Sequence, residues 1–294
     1  MLLKELIDTG VRSLSVLYPD REAREMVFIS LEYLIGTRRH THIIDPCHEV
    51  AQEDVVRVRN AFDRLASGEP LQYVVGKAFF YGREFSVTPS VLIPRPETEL
   101  LCRMALDTMK TAPCRPVRLL DLCTGSGCIA WTMALECPGA DVVAVDVSEA
   151  ALEIASTQDF SNEISISGAR PPVFIHGDVL DVESLMTSLP AQGFDMILSN
   201  PPYVMDSEKA LMRRNVLEHE PHLALFVPDE DPLKFYKAVA SISRGLLSQT
   251  GFGLVEINEA LGFETAEVFT AEGFSEVSVL KDLSDKDRYV YFRR

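Results

Sequence analysis

The 294-residue sequence lacks paired cysteines, long apolar runs and a surplus of positive charge, and each absence excludes a class of protein. None of the six cysteines stands in a Cys-x-x-Cys pair, so we expect neither a zinc knuckle nor a dithiol redox site. Scattered thiols without such a framework are typical of a reducing compartment. The cysteines are Cys47, Cys102, Cys114, Cys123, Cys128 and Cys137.

Hydrophobic segments are short. No uncharged apolar stretch reaches the length of about 18 residues that a membrane span needs. The first ten residues carry Lys4, Glu5 and Asp8, where a signal peptide has an apolar run. The sequence therefore predicts a cytoplasmic protein with no membrane partner.

Positive charge is scarce, since 28 Lys and Arg against 44 Asp and Glu give a formal net charge of −16. Affinity for nucleic acid comes largely from basic side chains that neutralise phosphates, so we expect no direct nucleic-acid partner. The excess of acidic over basic side chains is uneven along the chain. Residues 1–95 carry 12 basic and 13 acidic side chains, whereas residues 96–294 carry 16 and 31. We interpret the near-neutral first part as a docking module for a folded protein.

Hydrophobic periodicity separates the chain into three parts. Apolar residues recur at helical spacing within residues 2–11, 23–35 and 55–65, which predicts a helical bundle over residues 1–67. Aromatic and β-branched residues around Gly82 predict a hairpin within a linker over residues 68–95. From residue 96 onwards apolar strands alternate with helices, which is typical of a parallel sheet covered on both faces. We expect the last two strands to be antiparallel.

The first motif is Asp-Leu-Cys-Thr-Gly-Ser-Gly at 121–127, between a predicted strand and a helix. Its glycines let the backbone approach a ligand closely. Asp146 ends the next predicted strand, where a carboxylate can accept both hydroxyls of a ribose. Residues 125–130 also fit the G-x-G-x-x-A pattern of dinucleotide-binding enzymes, although the turn before the first glycine is longer than theirs. This motif alone leaves the kind of nucleotide open.

The second motif is Asn-Pro-Pro-Tyr at 200–203, after the predicted strand Phe-Asp-Met-Ile-Leu-Ser. Two prolines stiffen the loop and remove two backbone donors. The Asn200 side-chain oxygen and the Pro201 carbonyl can then converge as acceptors for both hydrogens of an NH2 group. Tyr203 adds an aromatic face for a planar group. A dinucleotide oxidoreductase would have no use for this loop.

These motifs resemble known ones. The turn at 121–127 with Asp146 is similar to the S-adenosylmethionine site of class I methyltransferases, and residues 200–203 resemble the signature of amino-group methyltransferases that act on DNA or on protein glutamine. The segments at 68–76, 79–82 and 93–99 resemble those of the peptide chain release factor glutamine N5-methyltransferase family. Glu220-Pro221 and Ala224-Leu225 fit the same family. The resemblance covers nearly the whole chain and is weakest over the first 65 residues.

The resemblance implies a fold and an activity. The fold is a Rossmann-like class I methyltransferase domain over residues 96–294, an α/β domain with a mostly parallel seven-stranded sheet. The implied activity is methylation of the side-chain amide nitrogen of the glutamine in the Gly-Gly-Gln motif of class 1 release factors, with S-adenosylmethionine as cofactor and residues 1–67 as the docking bundle. The alternatives are a ribosomal-protein glutamine methyltransferase and a DNA amino-methyltransferase, which would need a basic domain to read its target.

The resemblance also assigns site residues. It implies that catalysis and substrate binding depend on Asn200, Pro201, Pro202 and Tyr203. The implied cofactor-binding residues are Cys123, Thr124, Gly125, Ser126, Gly127, Asp146, Asp178, Val179 and Asn200. Cys123 stands where glycine is frequent in the family.

We expect no general base and no metal. The N-methylated amide cation is very acidic and can lose its proton to water. Nearby carboxylates are therefore interpreted as solvated or capping groups, namely Asp121, Asp178, Glu218 and Glu220. His219 and His222 lack further ligands at zinc spacing. Arg95 and Glu99 flank a predicted helix start, which accounts for both without a role at the substrate.

Overall fold

The computed structural model describes residues 1–109, 117–190 and 193–294, and Cys114 lies outside these ranges. Within them the chain forms two units. The first contains residues 1–77 and 212–219, and the second contains residues 78–211 and 220–294. The linker predicted over residues 68–95 contributes to the first unit up to Lys77 and to the second from Ala78 onwards.

Helices and strands alternate after residue 96, as the sequence predicts. The helices are α1 (Leu3–Leu14), α2 (Asp20–Ile35), α3 (Thr41–Ile44), α4 (Gln52–Ala66), α5 (Leu71–Val75), α6 (Pro96–Met109), α7 (Cys128–Glu136), α8 (Glu149–Ser156), α9 (Ser161–Ser167), α10 (Val182–Ser188), α11 (Arg214–His219), α12 (Lys234–Leu246) and α13 (Gly262–Ala271). The strands are β1 (Lys77–Phe80), β2 (Arg83–Ser86), β3 (Arg118–Leu122), β4 (Asp141–Asp146), β5 (Val173–His176), β6 (Phe194–Ser199), β7 (Val204–Met205), β8 (Phe226–Val227), β9 (Leu247–Glu256), β10 (Glu276–Lys281) and β11 (Asp287–Arg293).

The first unit is a small bundle in which α1, α2 and α4 pack against one another. Helix α2 ends where Gly36 adopts a left-handed conformation, with φ of 68°. Helices α1 and α4 approach so closely that a Cβ on Gly10 would lie 2.5 Å from the Phe62 ring. The short helices α3 and α5 were not predicted, because four or five residues are too few to show a helical period.

The predicted hairpin is confirmed as β1 and β2, joined by Tyr81 and Gly82. Both turn residues have positive φ, 50° and 77°, as a two-residue type I′ turn requires. The backbone N–H of Tyr81 donates to the Glu99 carboxylate over 2.8 Å. Glu99 therefore joins the hairpin turn to the first turn of α6.

The second unit is built on a sheet whose strand order is β10-β11-β9-β6-β3-β4-β5. Strands β3, β4, β5, β6 and β9 pair in parallel, and the predicted antiparallel end is confirmed by β10, β11 and β9. Alternate residues of the central strands enter two apolar cores. Leu119, Ala144 and Leu198 face the core that contains α6 and α7. Leu120, Val145 and Ile197 face the core that contains α12 and α13.

The strand order determines at which edge of the sheet a ligand site is expected. Strand β3 lies between β4 and β6, so the chain leaves β3 in one direction along the sheet and returns on its other side. Parallel sheets bind ligands at the carboxyl ends of the strands beside such a reversal. The two sequence motifs follow β3 and β6, so both lie at this edge. Among the residues described, no helix combines the length and apolarity needed to cross a membrane.

Candidate active site

A cavity opens at the carboxyl edge of the sheet. Its walls come from the turn after β3, the ends of β4 and β5, the loop after β6 and the segment before α6. It encloses about 970 Å³ when its open mouth is included. The predicted site residues that line it are Cys123, Thr124, Gly125, Ser126, Asp146, Asp178, Val179, Asn200 and Pro202.

Gly127, Pro201 and Tyr203 lie outside the cavity wall. Gly127 precedes α7 with φ of 79°, and a Cβ there would lie 3.0 Å from the Ala155 Cβ and 3.1 Å from the Trp131 ring. This glycine therefore allows α7 to pack closely on α8. Pro201 is buried, and Tyr203 is half-buried against the second core. The roles of all three toward a ligand stay predictions.

Asp121 holds the turn after β3 from inside the protein. It is fully buried, and its Oδ2 accepts a hydrogen bond from the Thr124 hydroxyl at 2.6 Å and from the Ala130 N–H at 3.1 Å. Burial raises the pKa of Asp121 to about 7, against the lowering effect of these two hydrogen bonds. Asp121 is thus a cap for the turn and is not solvated.

Asp146 presents its carboxylate at the end of β4. Its Oδ2 accepts from the Gly125 N–H at 2.8 Å, and its Oδ1 accepts from the Ser148 N–H at 2.9 Å. Each carboxylate oxygen can accept a further hydrogen bond, so two hydroxyls of a ligand have acceptors here. Burial raises the pKa of Asp146, while the bonds from Ser148 and Gly125 lower it.

Backbone conformation explains which residues suit the turn after β3. Gly125 has φ of 56°, and a Cβ there would meet nothing within 4 Å, so open space for a ligand lies beside it. Cys123 has φ of 62°, in the left-handed region that favours glycine. Burial raises the pKa of the Cys123 thiol well above its usual range, which keeps the sulfur protonated.

Asn200 is held by Thr98 and Glu256, which lie outside the two motifs at 121–127 and 200–203. Its Nδ2 donates to the Thr98 hydroxyl at 3.0 Å, and that hydroxyl donates to Oε2 of Glu256 at 2.8 Å. The Tyr203 hydroxyl donates to Oε1 of the same glutamate at 3.1 Å. Among the described residues nothing donates to Oδ1 of Asn200 or to the Pro201 carbonyl, so both remain available as acceptors.

Glu256 is the last residue of β9 and is 1% exposed. Burial raises the pKa of Glu256 to about 7, while the bonds from Thr98 and Tyr203 lower it. A glutamate inside the apolar run Phe-Gly-Leu-Val-Glu-Ile (252–257) was the available signal, because a buried strand seldom holds an unpartnered carboxylate. Its partners Thr98 and Tyr203 belong to other elements, which the strand order brings to the end of β9.

Arg95 belongs to the wall of the site, and the buried Glu220 holds it from behind that wall. Their side chains form an ion pair at 2.5 Å, and Glu220 also accepts the Ile93 N–H at 3.2 Å. The Glu220 side chain is 1% exposed, so of the two roles expected for it, solvated or capping, the solvated role is wrong. Arg95 lines the cavity, which the helix-start account alone did not predict.

The remaining polar candidates are arranged as follows. Asp178 lines the cavity and accepts the Leu180 N–H at 2.8 Å, within the turn that precedes α10. Glu218 is exposed and pairs with Arg214. His222 packs edge-on against Phe226. Within residues 1–109, 117–190 and 193–294, no group of three His, Cys, Asp or Glu side chains could hold a metal ion.

Comparisons with known proteins agree with this architecture. Residues 98–224 match the methyltransferase small domain family, and residues 5–76 match the PrmC N-terminal domain family. The release factor glutamine methyltransferase of Flavobacterium psychrophilum is 35% identical over 291 residues, which cover 99% of this chain and 98% of that protein. The protein of the same name from Bacteroides thetaiotaomicron is 36% identical over 290 residues, which cover 96% and 97%.

A solved structure shows the same fold. The hMettl16 catalytic domain, crystallised with MAT2A 3′UTR hairpin 6, matches with a TM-score of 0.53 at 13% identity and covers 82% of each chain. The fold and the site therefore define a class I methyltransferase that depends on S-adenosylmethionine. More particularly, the chain belongs to the release factor glutamine methyltransferase family. The fold class, family and cofactor expected from the sequence are confirmed.

The cavity fits that cofactor. Asp146 offers acceptors for two hydroxyls at the end of β4, and the space beside Gly125 is open on the cavity side. Asp178 and Val179 line the wall after β5. When bound, S-adenosylmethionine supplies a methyl group on a positively charged sulfonium. The individual cofactor contacts stay predictions.

Proposed function

We propose that this enzyme methylates the side-chain amide nitrogen of the glutamine in the Gly-Gly-Gln motif of class 1 peptide chain release factors. The relatives at 35% and 36% identity bear the name of that activity over nearly their full lengths. The residue-level support is Asn200, whose amide is fixed through Nδ2 and whose Oδ1 has no donor among the described residues. A free acceptor beside the cofactor turn suits an incoming NH2 group.

The residues of the loop after β6 promote the reaction by aligning the substrate nitrogen with the methyl group. An amide nitrogen is a poor nucleophile because its lone pair is delocalised into the carbonyl. Holding it in line with the donated methyl group supplies up to about 7–11 kcal/mol in the most favourable intramolecular cases. Oδ1 of Asn200 and the carbonyl of Pro201 accept the two N–H hydrogens and fix the direction of the nitrogen.

These acceptors also favour the transition state. Positive charge grows on the nitrogen as the methyl group arrives, and acceptors already in place stabilise it without reorganising. The methylated amide then releases a proton readily, to water or to one of these oxygens. No carboxylate has to remove a proton before the transfer, which agrees with the structural hydrogen bonds that Asp121 and Asp178 accept.

The first unit is the proposed docking part for the release factor. Its match to the PrmC N-terminal domain over residues 5–76 supports this, as does the near balance of 12 basic and 13 acidic side chains in residues 1–95. A surface without a basic excess suits a folded protein better than a phosphate backbone. Release factors act in translation, so the proposal places the reaction in the cytoplasm.

The test is transfer of labelled methyl from S-adenosylmethionine to a purified class 1 release factor. We expect label on the wild-type release factor and none on a variant whose Gly-Gly-Gln glutamine is replaced by alanine. Ribosomal protein and duplex DNA are assayed alongside. Label on either of those substrates, or label on the glutamine-less release factor, contradicts the proposal.

A further inference from the structure

The Asn200 amide is held by a chain of hydrogen bonds that ends on Glu256. Nδ2 of Asn200 donates to Oγ1 of Thr98, and Oγ1 of Thr98 donates to Oε2 of Glu256, over 3.0 and 2.8 Å. Thr98 is 2% exposed and Glu256 is 1% exposed. The bond between Thr98 and Glu256 is therefore shielded from water, and the direction of each bond depends on the next.

The direction of this chain follows from the number of hydrogens available. An ionised glutamate has none to give, so Thr98 must donate its single hydroxyl hydrogen to Glu256. The Thr98 oxygen can then only accept from Asn200. The amide of Asn200 must accordingly turn Nδ2 toward Thr98, and Oδ1 is the atom left for a ligand.

We propose that Thr98 and Glu256 are positioning residues that set the Asn200 amide with its nitrogen inward and its oxygen free for the substrate. The inference rests on the proposed function, because the substrate's NH2 group is what requires an acceptor at that point. Neither residue transfers a proton to or from the substrate. Both act through the orientation of Asn200.

The fold brings these groups together from three separate elements. Strands β6 and β9 are parallel neighbours in which Ser199 pairs with Val255, so Asn200 and Glu256 stand at the same level on the sheet edge. Thr98 lies in the first turn of α6, whose side chains pack on the same sheet. Rigid strands and a helix, rather than a mobile loop, thus supply the supporting groups.

Glu256 fixes the loop at a second point. The Tyr203 hydroxyl donates to Oε1 at 3.1 Å, so the glutamate accepts one bond on each oxygen. Asn200 and Tyr203 bound the Asn-Pro-Pro-Tyr segment. One buried carboxylate therefore anchors both ends of that segment, directly at Tyr203 and through Thr98 at Asn200.

Protonation of Glu256 would reverse the direction of the hydrogen bonds that join it through Thr98 to Asn200. A protonated carboxyl can donate to Thr98, whose hydrogen is then free to point at Asn200 and to favour Oδ1 facing inward. Burial places the pKa of Glu256 at about 7, so this reversal falls near neutral pH. Among the described residues, the groups that interact electrostatically with Glu256 or bond to it include Glu97, Thr98 and Cys102 of α6, Cys128 of α7, Tyr203, Tyr236 of α12, and Arg288 and Tyr289 of β11.

The experiment compares Thr98→Val with Thr98→Ser in the full-length enzyme. Valine has the shape of threonine without the hydroxyl, and serine restores the hydroxyl. Thr265→Val is the matched control, because Thr265 is a fully buried helical threonine whose hydroxyl has no partner among the described residues. Thermal unfolding of each variant checks folding, and calorimetric titration with S-adenosylhomocysteine measures the cofactor site separately.

We expect T98V to lower kcat for methyl transfer to the release factor by about tenfold or more, the effect of a lost hydrogen bond to a charged network. T98S and T265V should stay close to wild-type, and all variants should bind S-adenosylhomocysteine alike. T98V at wild-type kcat, or T98S as slow as T98V, overturns the inference while leaving the proposed function standing. A wild-type enzyme that leaves the release factor unlabelled overturns the proposed function and the inference with it.

Glu256→Gln supplies an independent readout. The kcat of the wild-type enzyme should rise as pH increases through about 7, because the ionised carboxylate sets the amide correctly. E256Q cannot ionise at this position, so the rise in its profile should be smaller by the part that Glu256 contributes. Asp121, whose pKa is also about 7, titrates in both proteins and cancels in the comparison. An unchanged rise in E256Q would overturn the role of Glu256.

Discussion

Arg95 and Glu220 form an ion pair at 2.5 Å across 125 residues of sequence. Glu220 also accepts the N–H of Ile93 at 3.2 Å, so the carboxylate joins the segment before α6 to the loop that carries Pro221 and Leu223. Arg95, Pro221 and Leu223 all line the cavity. The pair therefore fixes one part of the cavity wall against another.

Glu220→Gln should weaken cofactor binding. The variant keeps an acceptor for Ile93 but leaves the Arg95 guanidinium without a charged partner, which should lower the free energy of unfolding by about 1–3 kcal/mol. Titration with S-adenosylhomocysteine and denaturant unfolding measure the two effects. Glu218→Gln breaks the exposed pair with Arg214 and is the control, expected to change little. Equal losses in the two variants would argue against a role for Glu220 in the wall.

Asn200→Ala should abolish methyl transfer while part of the cofactor affinity survives. Alanine removes the acceptor that holds the substrate nitrogen, and loss of a preorganised polar group of this kind costs about 100-fold or more in kcat. Single-turnover transfer and S-adenosylhomocysteine titration separate the two effects. The exposed Asn162 of α9, replaced by alanine, is the control. Transfer by N200A at the rate of N162A would refute the assignment.

The stability of Cys123 variants should depend on the backbone conformation at this position more than on side-chain volume. Cys123→Gly removes the left-handed penalty of about 1–2 kcal/mol at φ of 62° and should therefore be tolerated. Cys123→Val adds a β-branched side chain in the same conformation and should destabilise the protein relative to C123G. Urea unfolding of both variants measures the difference. A valine variant as stable as the glycine variant would show that the turn relaxes.

Glu256 should make the protein less stable as pH rises. Its folded pKa is raised from 4.5 to about 7, so the stabilising effect of its protonation is complete below 4.5 and is lost as pH increases to about 7. E256Q has no such dependence, and the fall in its free energy of unfolding between pH 5 and pH 8 should be smaller than in the wild-type enzyme. Denaturant unfolding at both values tests this, and equal falls would contradict the burial of the carboxylate.

Charge reversal on the first unit should weaken the affinity for the release factor and leave cofactor affinity unchanged. Arg24 and Glu53 are exposed on α2 and α4, so Arg24→Glu and Glu53→Lys alter its surface alone. Glu267→Lys on the exposed face of α13 is the control. Binding is measured with the release factor and with S-adenosylhomocysteine. Losses of the same size for both ligands would count against docking by the first unit.

Local signals in the sequence predicted most of the fold. Gly36 ends α2, and a two-residue turn at Tyr81 and Gly82 makes the hairpin, because positive φ is a local requirement. The strand that ends beside Asp121 was visible as an apolar run followed by glycines. The cofactor turn and Asp146 could be paired in advance, since successive parallel strands end at the same edge.

The support of Asn200 could not be predicted in the same way. Nothing local in the sequence pairs Thr98, within the segment at 93–99, with Glu256 at the end of an apolar strand. Their meeting depends on β9 lying beside β6, which the order of elements along the chain does not specify. The packing of Gly127 could not be predicted for a related reason. Its neighbour Ala155 belongs to a helix that only tertiary packing brings near.

The separation of these contacts along the chain has a consequence for folding. The bond from Gly125 to Asp146 closes a loop of 21 residues, whereas those from Asn200 and Glu256 to Thr98 span 102 and 158 residues. Longer loops cost more chain entropy to close and slow the search for native contacts. The cofactor turn can therefore form while the sheet is still incomplete. The support of Asn200 requires β9 to lie beside β6, so enzymatic activity reports the completion of the sheet.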